Sequence, residues 1–369
     1  MHACVSAAQL RVAGWSTYQI GQALTCCLER VRRGVYVVTA KCSNPDHEFT
    51  AALASGENVR LPQETTGMRK QAEDLSIRAR SYVGRLPPGA VLSHRSALIA
   101  HGLPIPYFDR NDGLTVEAVH PSRGSRRKNL FIRYRDLSSD AFIVLDGCPV
   151  TTVHQTLLDV ARDYPLAFAV AVVDAAIRRS VVTAKSFRAY CEANPVRTRQ
   201  RRIAAVIDNI DELRESIGES ICAVRFVEHS ISGFEPQVTI LDERGNFVAR
   251  TDFANESDKV IAEFDGAGKY YIDGTDPKTA FELERRREYQ LRNLGYTVFR
   301  VKWSDLFAAD LFLRIKATIA NRRSAQGCTR LGQRPRVPHS PVGSKNPSPT
   351  TRSSNQPVSE PPAREGHSR

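Results

Sequence analysis

The spacing of hydrophobic positions changes several times along this chain, and each change marks an element. Near the N-terminus, "SAAQLRVAG" (6–14) spaces its apolar residues as a helix does and stops at Gly14. "STYQIGQAL" (16–24) repeats the pattern behind Ser16, a natural N-cap. "LERVRRGVYVV" (28–38) then alternates through an Arg33–Gly34 turn and predicts a hairpin. Residues 65–84 predict a polar helix, and Ser93 the cap of a short apolar helix ended by Gly102. Strand-like runs follow at 113–120, 129–137 and 141–152, with the basic loop "PSRGSRRK" (121–128) between the first two. Residues 154–179 predict two apolar-faced helices broken near Pro165.

Beyond the basic stretch "VRTRQRR" (196–202), one helix is predicted through 203–230, then strands at 235–245, 247–255 and 259–266. The segment 276–295 carries firm helix boundaries: Asp276 as N-cap, Pro277 at the first helical position and Gly295 past the end. A strand over 296–307 and a helix to about Ile319 complete the order αβββαβ. Residues 324–369 hold eight of the chain's twenty prolines and almost nothing apolar, so they cannot bury a core and are expected to be disordered. The expected organisation is a two-helix-and-hairpin unit at 1–40, a linker at 41–64, an α+β domain at 65–195, the αβββαβ domain at 196–323 and a basic tail at 324–369. The fold class is α/β, multi-domain.

Two of the predicted strands bring acids together. With Asn255–Asp258 as the turn, Ala254 pairs with Lys259, Asp252 with Ile261 and Arg250 with Glu263. Alternation then projects Asp252, Glu263 and Asp265 from one face and Phe253, Val260, Ala262 and Phe264 from the other. Asp252 and Glu263 become diagonal neighbours roughly 7–8 Å apart, room for a cation between them. Oxygen-only ligands favour Mg2+ or Mn2+, which beside a phosphodiester would polarise the phosphoryl oxygen and acidify an attacking water. Glu219, on the preceding helix, is a candidate fourth carboxylate. An ordinary hairpin with a charged outer face accounts for the same pattern.

The chain has 369 residues, too many for one typical core. Its net charge is +12 with 42 Arg against 10 Lys, and a guanidinium-rich surface suits phosphate partners. Net +5 of that charge falls in the tail, which leaves a mild bias elsewhere. Candidate DNA contacts are Arg30, Arg32 and Arg33 on the hairpin, Arg126 and Arg127 in the basic loop, and Arg285 and Arg286 on the 276–295 helix. The first unit reads equally as a winged helix-turn-helix or as a small helical cap with an exposed basic turn. The eight cysteines form no CxxC pair, and adjacent Cys26 and Cys27 do not suit a zinc knuckle. His94, His101, His120 and His154 are scattered and expected to be structural. With no signal-like start and no 18-residue apolar run, the expectation is a soluble, cytoplasmic protein without a membrane partner.

Two family resemblances sharpen this. The stretch from "GESICAVRFVEHS" through "RTDFANESDKVIAEFDGAGKYY" to "RRREYQLRNLGYTVFRVKW" resembles the Vsr-like branch of the PD-(D/E)xK endonuclease superfamily over roughly 215–307. That implies a restriction-endonuclease-like αβββαβ core and a Mg2+- or Mn2+-dependent hydrolase of DNA. Asp252 matches the first superfamily acid, Glu263 the second and Glu219 the helical glutamate. The superfamily lysine falls where this chain has Asp265, and Lys269 becomes the candidate substitute.

"LERVRRGVYVV", "VLSHRSALIAHGLP" and "GCPVTTVHQTLLDVAR" are similar to AbiEi-type antitoxins. This implies a winged-helix repressor that binds its own promoter and opposes a nucleotidyltransferase toxin, and the joining of both resembling parts in one chain is typical of high-GC actinobacteria. The chain is then either a DNA-binding endonuclease or a toxin–antitoxin repressor with a degenerate nuclease fold.

Overall fold

The computed structural model describes residues 4–39, 42–48, 67–108, 114–265 and 277–331. They form a mixed α/β protein with eleven α-helices and three sheets. Residues to Arg323 belong to one compact unit; of the second, Ser324–Arg369, the described part is the end of the last helix. Among the described residues no helix is long and apolar enough to cross a membrane.

The N-terminal lobe runs β1 (Cys4–Ser6), α1 (Ala7–Val12), α2 (Thr17–Ala23), β2 (Leu28–Arg32) and β3 (Val35–Val38). Both helices start in reciprocal capping boxes, Ser6 with Gln9 and Ser16 with Gln19, so orphan N–H groups are satisfied by the sequence itself. Gly34 turns the hairpin at φ +70°, a conformation that side chains disfavour. Strand β1, absent from the sequence reading, pairs with β3 and gives the sheet order β1-β3-β2.

The middle section is a six-stranded sheet, β6-β7-β5-β4-β9-β8. Its strands are β4 (Val91–Leu92), β5 (Val116–His120), β6 (Ser125–Arg127), β7 (Leu130–Tyr134), β8 (Phe142–Leu145) and β9 (Cys148–Thr151). The predicted loop 121–128 thus contains an edge strand, and the predicted run 141–152 is a hairpin. Its turn, Asp146–Gly147, has both residues at positive φ, the pairing that a tight right-twisted hairpin requires. Helices α3 (Met68–Arg80) and α4 (His94–Ala100) pack on its strands, and α5 (Val153–Asp163), α6 (Leu166–Arg178), α7 (Ala184–Ala193) and α8 (Gln200–Asn209) form a helical layer in which α5 packs on α4. α6 is buried continuously from Ala167 to Ile177, as a helix packed on all sides must be. Its one acid, Asp174, accepts the Asp211 N–H (2.9 Å) and an Arg214 N–H (3.1 Å).

The predicted 203–230 helix is two: α8 ends at Asn209 and α9 spans Ile217–Glu228. α9 packs on α6, and one apolar cluster runs continuously from Leu75 to Ile319. The last sheet has the order β10 (Glu235–Leu241), β11 (Phe247–Asn255), β12 (Val260–Asp265), β13 (Thr297–Lys302). The first three strands are antiparallel; β12 and β13 are parallel, joined through α10 (Pro277–Asn293). α11 (Asp310–Leu331) is the last element among the described residues.

Candidate functional site

The β11–β12 ladder differs from the sequence register by two residues: Asn255 pairs with Val260, Ala254 with Ile261 and Phe253 with Ala262. The cause is Asn255. Its side chain accepts from the Asp258 N–H (3.0 Å) and the Ser257 hydroxyl (2.9 Å) and donates to Ser232 O (3.1 Å), so it builds the turn while still pairing in the strand. The ladder ends at Phe253–Ala262, and the next position sets Asp252 across from Glu263. From there the strands fork: β11 continues against β10, and β12 against β13. The Phe264 N–H donates instead to the Asp252 carboxylate at 2.8 Å.

The expected single acid face is not formed, because alternation breaks at the fork. Phe253 packs with Phe226 of α9, whereas Ala249, of the same parity, packs with Leu291 of α10. Opposite Asp252 on β10 stands Gln237 at φ +54°, and the β10–β11 ladder skips this pair. The acids divide accordingly. Glu219 is buried on α9, where its carboxylate accepts the Glu215 N–H and a Gln237 amide N–H, each at 2.9 Å. Burial, and then the charges of Asp252 and Glu219, push the neighbouring Cys222 thiol far up.

Glu263 faces the other side and is only 6% exposed, since α10 covers what the sequence suggested was a solvent face. Arg287 of α10 donates to both its oxygens at 2.7 Å, and Arg300 of β13 approaches at 2.6 Å. Glu284 bonds both arginines and closes a ring of two acids and two bases. Hydrogen bonds from Arg287 lead the causes that lower Glu284 to about 2, and the Glu263 bond leads those that raise Arg287. A divalent cation needs oxygen lone pairs and would be repelled by two guanidinium groups. As arranged, these residues do not fit Mg2+ or Mn2+. Asp265 is half-buried and in register with Lys302 of β13. Lys269 and Asp276 lie outside the described residues.

The basic candidates also separate. Arg30 and Arg33 are exposed on the hairpin. Arg32 turns inward, donates to Ser81 O at 2.7 Å and stacks on Tyr82 at 4.4 Å. It pins the hairpin to the end of α3, so its guanidinium is engaged within the protein. Arg126 and Arg127 are exposed on edge strand β6, Arg126 lying over the Phe131 ring at 5.0 Å. Arg285 and Arg286 are exposed on α10, while Arg292 pairs with Glu288.

Two constellations escaped the sequence reading. Glu117, buried in β5, accepts from Arg95 Nε (3.1 Å), Arg133 (2.8 Å) and the Tyr164 hydroxyl (2.6 Å). Asp163 beside it binds Arg135 (2.9 Å), Arg199 (2.7 Å) and His94 Nε2 (3.0 Å). His94 has φ +50° and its Nδ1 is 2.8 Å from Ser93 Oγ, so the cap expected of Ser93 is spent on a ring. His101, His120 and His154 bond Thr151 O, Pro88 O and Ser186 Oγ respectively, in structural roles. The second constellation corrects the reading of the cysteines: Cys26, Cys27, Cys42 and His47 converge, their ligand atoms all within 4.8 Å of one another. A spacing rule for knuckles missed it because the four come from two segments that flank the hairpin.

No protein-family model matches this chain, and no curated protein matches it significantly.

Proposed function

We propose that this is a DNA-binding protein of the repressor or antitoxin kind, in which a restriction-endonuclease-like domain serves as a scaffold and not as a hydrolase. The observation that carries the reading is the ring of Glu263, Arg287, Glu284 and Arg300, which occupies the acid a metal-dependent nuclease would need. The DNA surface is the N-terminal lobe. α2 presents Thr17, Tyr18 and Gln22 to solvent, and Arg30 and Arg33 project from the adjoining hairpin. A short helix beside a basic hairpin can place side chains in the major groove and guanidinium groups on flanking phosphates. The similarity to AbiEi-type antitoxins adds a nucleotidyltransferase toxin as the proposed protein partner.

The test is a footprint of the full chain on DNA upstream of its own gene, with a plasmid-nicking assay in Mg2+ and Mn2+ alongside. The expected result is a protected segment and intact plasmid. Absence of any protected segment at moderate salt overturns the repressor reading. One observation favours the hydrolytic alternative: the β11–β12 fork sets Asp252 across from Glu263, near Glu219. Metal-dependent nicking abolished by Asp252→Ala would establish it instead.

A further inference from the structure

Cys26 and Cys27 lie in the turn that ends α2, where both amide N–H groups bond Ala23 O (3.2 and 2.9 Å). Such a turn lets two adjacent side chains point the same way, which a strand or a knuckle loop does not. Cys42 and His47 follow the hairpin, and His47 ends the 3-10 turn Pro45–His47, capped by the Asn44 side chain. Cys26 Sγ is 3.6 Å from Cys27 Sγ and 3.7 Å from Cys42 Sγ. His47 Nδ1 is 3.5, 3.7 and 3.4 Å from the sulfurs of Cys26, Cys27 and Cys42. Four ligands on a tetrahedron with metal–sulfur bonds of about 2.3 Å and a metal–nitrogen bond of about 2.0 Å stand roughly 3.5–3.8 Å apart. These five edges match that figure. They are far longer than a sulfur–sulfur bond of about 2.05 Å.

We infer that Cys26, Cys27, Cys42 and His47 bind one Zn2+ in a closed, structural Cys3His site. Thiolates and imidazole are the donors zinc prefers, and soft sulfur ligands select against Mg2+ and Ca2+. With four protein ligands no position remains for water or substrate, so the ion is structural. The imidazole is buried and lies against Trp15, ring centroids 5.1 Å apart, which orients Nδ1 toward the sulfurs.

The surrounding lobe explains the need. Among the described residues its core cluster has nine buried members, Cys27 among them, and a core that small gains most from a metal staple. The ion ties the end of α2 to the chain leaving the hairpin, and so sets the angle between helix and hairpin. The site stands whether or not the lobe binds DNA.

The test is elemental analysis of the full chain, expressed with zinc in the medium and purified under reducing conditions. About one zinc per chain is expected, lost in Cys42→Ser and His47→Ala and retained in Cys191→Ser. Because the ligand variants could misfold, Co2+ is also added to chelator-treated wild-type protein. Tetrahedral d–d bands with thiolate-to-cobalt charge transfer are expected, and Zn2+ should bleach them. Wild-type protein without zinc and without a cobalt spectrum overturns the inference. So does a Cys26–Cys42 disulfide in metal-free protein, or iron or copper in place of zinc.

Discussion

Arg287 grips Glu263 with two parallel hydrogen bonds of 2.7 Å each, the bidentate geometry in which a guanidinium holds a carboxylate most firmly. The pair joins α10 to β12 and engages the carboxylate that the nuclease resemblance would assign to a metal.

Removing Arg287 leaves a nearly buried carboxylate facing Arg300 alone. Arg287→Met should destabilise the protein by about 2–4 kcal/mol, read as a lower urea midpoint with little change in slope. The same variant probes the function. If calorimetry then detects Mg2+ binding that Glu263→Gln removes, the arginine is what blocks the metal.

Glu117 predicts a pH dependence. Burial by itself would raise its pKa, but the charges of His94, Arg133 and Arg95 and the Tyr164 hydrogen bond more than offset this and lower it to about 2. A folded pKa below the unfolded value contributes stability above about pH 4 that is lost as pH falls toward 2. The contribution is about 3 kcal/mol. Urea titrations from pH 6 to pH 2 should show this loss in the wild type. In Glu117→Gln it should be smaller, starting from a lower stability at neutral pH.

Gly218 lies under the Phe264 ring, where an added Cβ would come within 2.2 Å of Cε1. Gly218→Ala should destabilise by about 1–3 kcal/mol despite alanine's better helix propensity. Adding Phe264→Leu should recover part of that loss, because the two changes share one space. Thermal unfolding of the single and double variants checks it.

The hairpin arginines should behave differently from one another. Arg30→Ala and Arg33→Ala should each weaken DNA binding and reduce the salt slope of log K by about 1, with melting temperature unchanged. Arg32→Ala should lower the melting temperature, since it removes the Ser81 bonds and the Tyr82 stack, and leave the salt slope as it was. Equal salt effects in all three would show that Arg32 leaves Ser81 to meet DNA.

Local marks made much of this protein legible. Gly295 lies just past the end of α10 as expected from helix-end chemistry, and apolar periodicity found α1, α2, α5 and α6 at nearly their observed limits. Strands β1 and β4, of three and two residues, carry too short a pattern to read. The break between α8 and α9 was hidden because "NIDELRES" holds neither proline nor glycine; Asp174, distant in sequence, holds that turn through Asp211 and Arg214. The acids were found, but not their setting.

What the sequence determined by itself is the order of elements and the chemistry available to them, because period, caps and turn residues act within a few positions of the chain. It named Asp252, Glu263 and Glu219, and it supplied Cys26, Cys27, Cys42 and His47 without grouping them. Tertiary structure alone decided what each group meets. A side chain cannot know from its neighbours in sequence that α10 will cover its sheet face, or that a hairpin will bring Cys42 back to Cys26. Those contacts follow from burying apolar surface between distant segments, and the polar groups trapped there are satisfied by whatever partners the packing delivers.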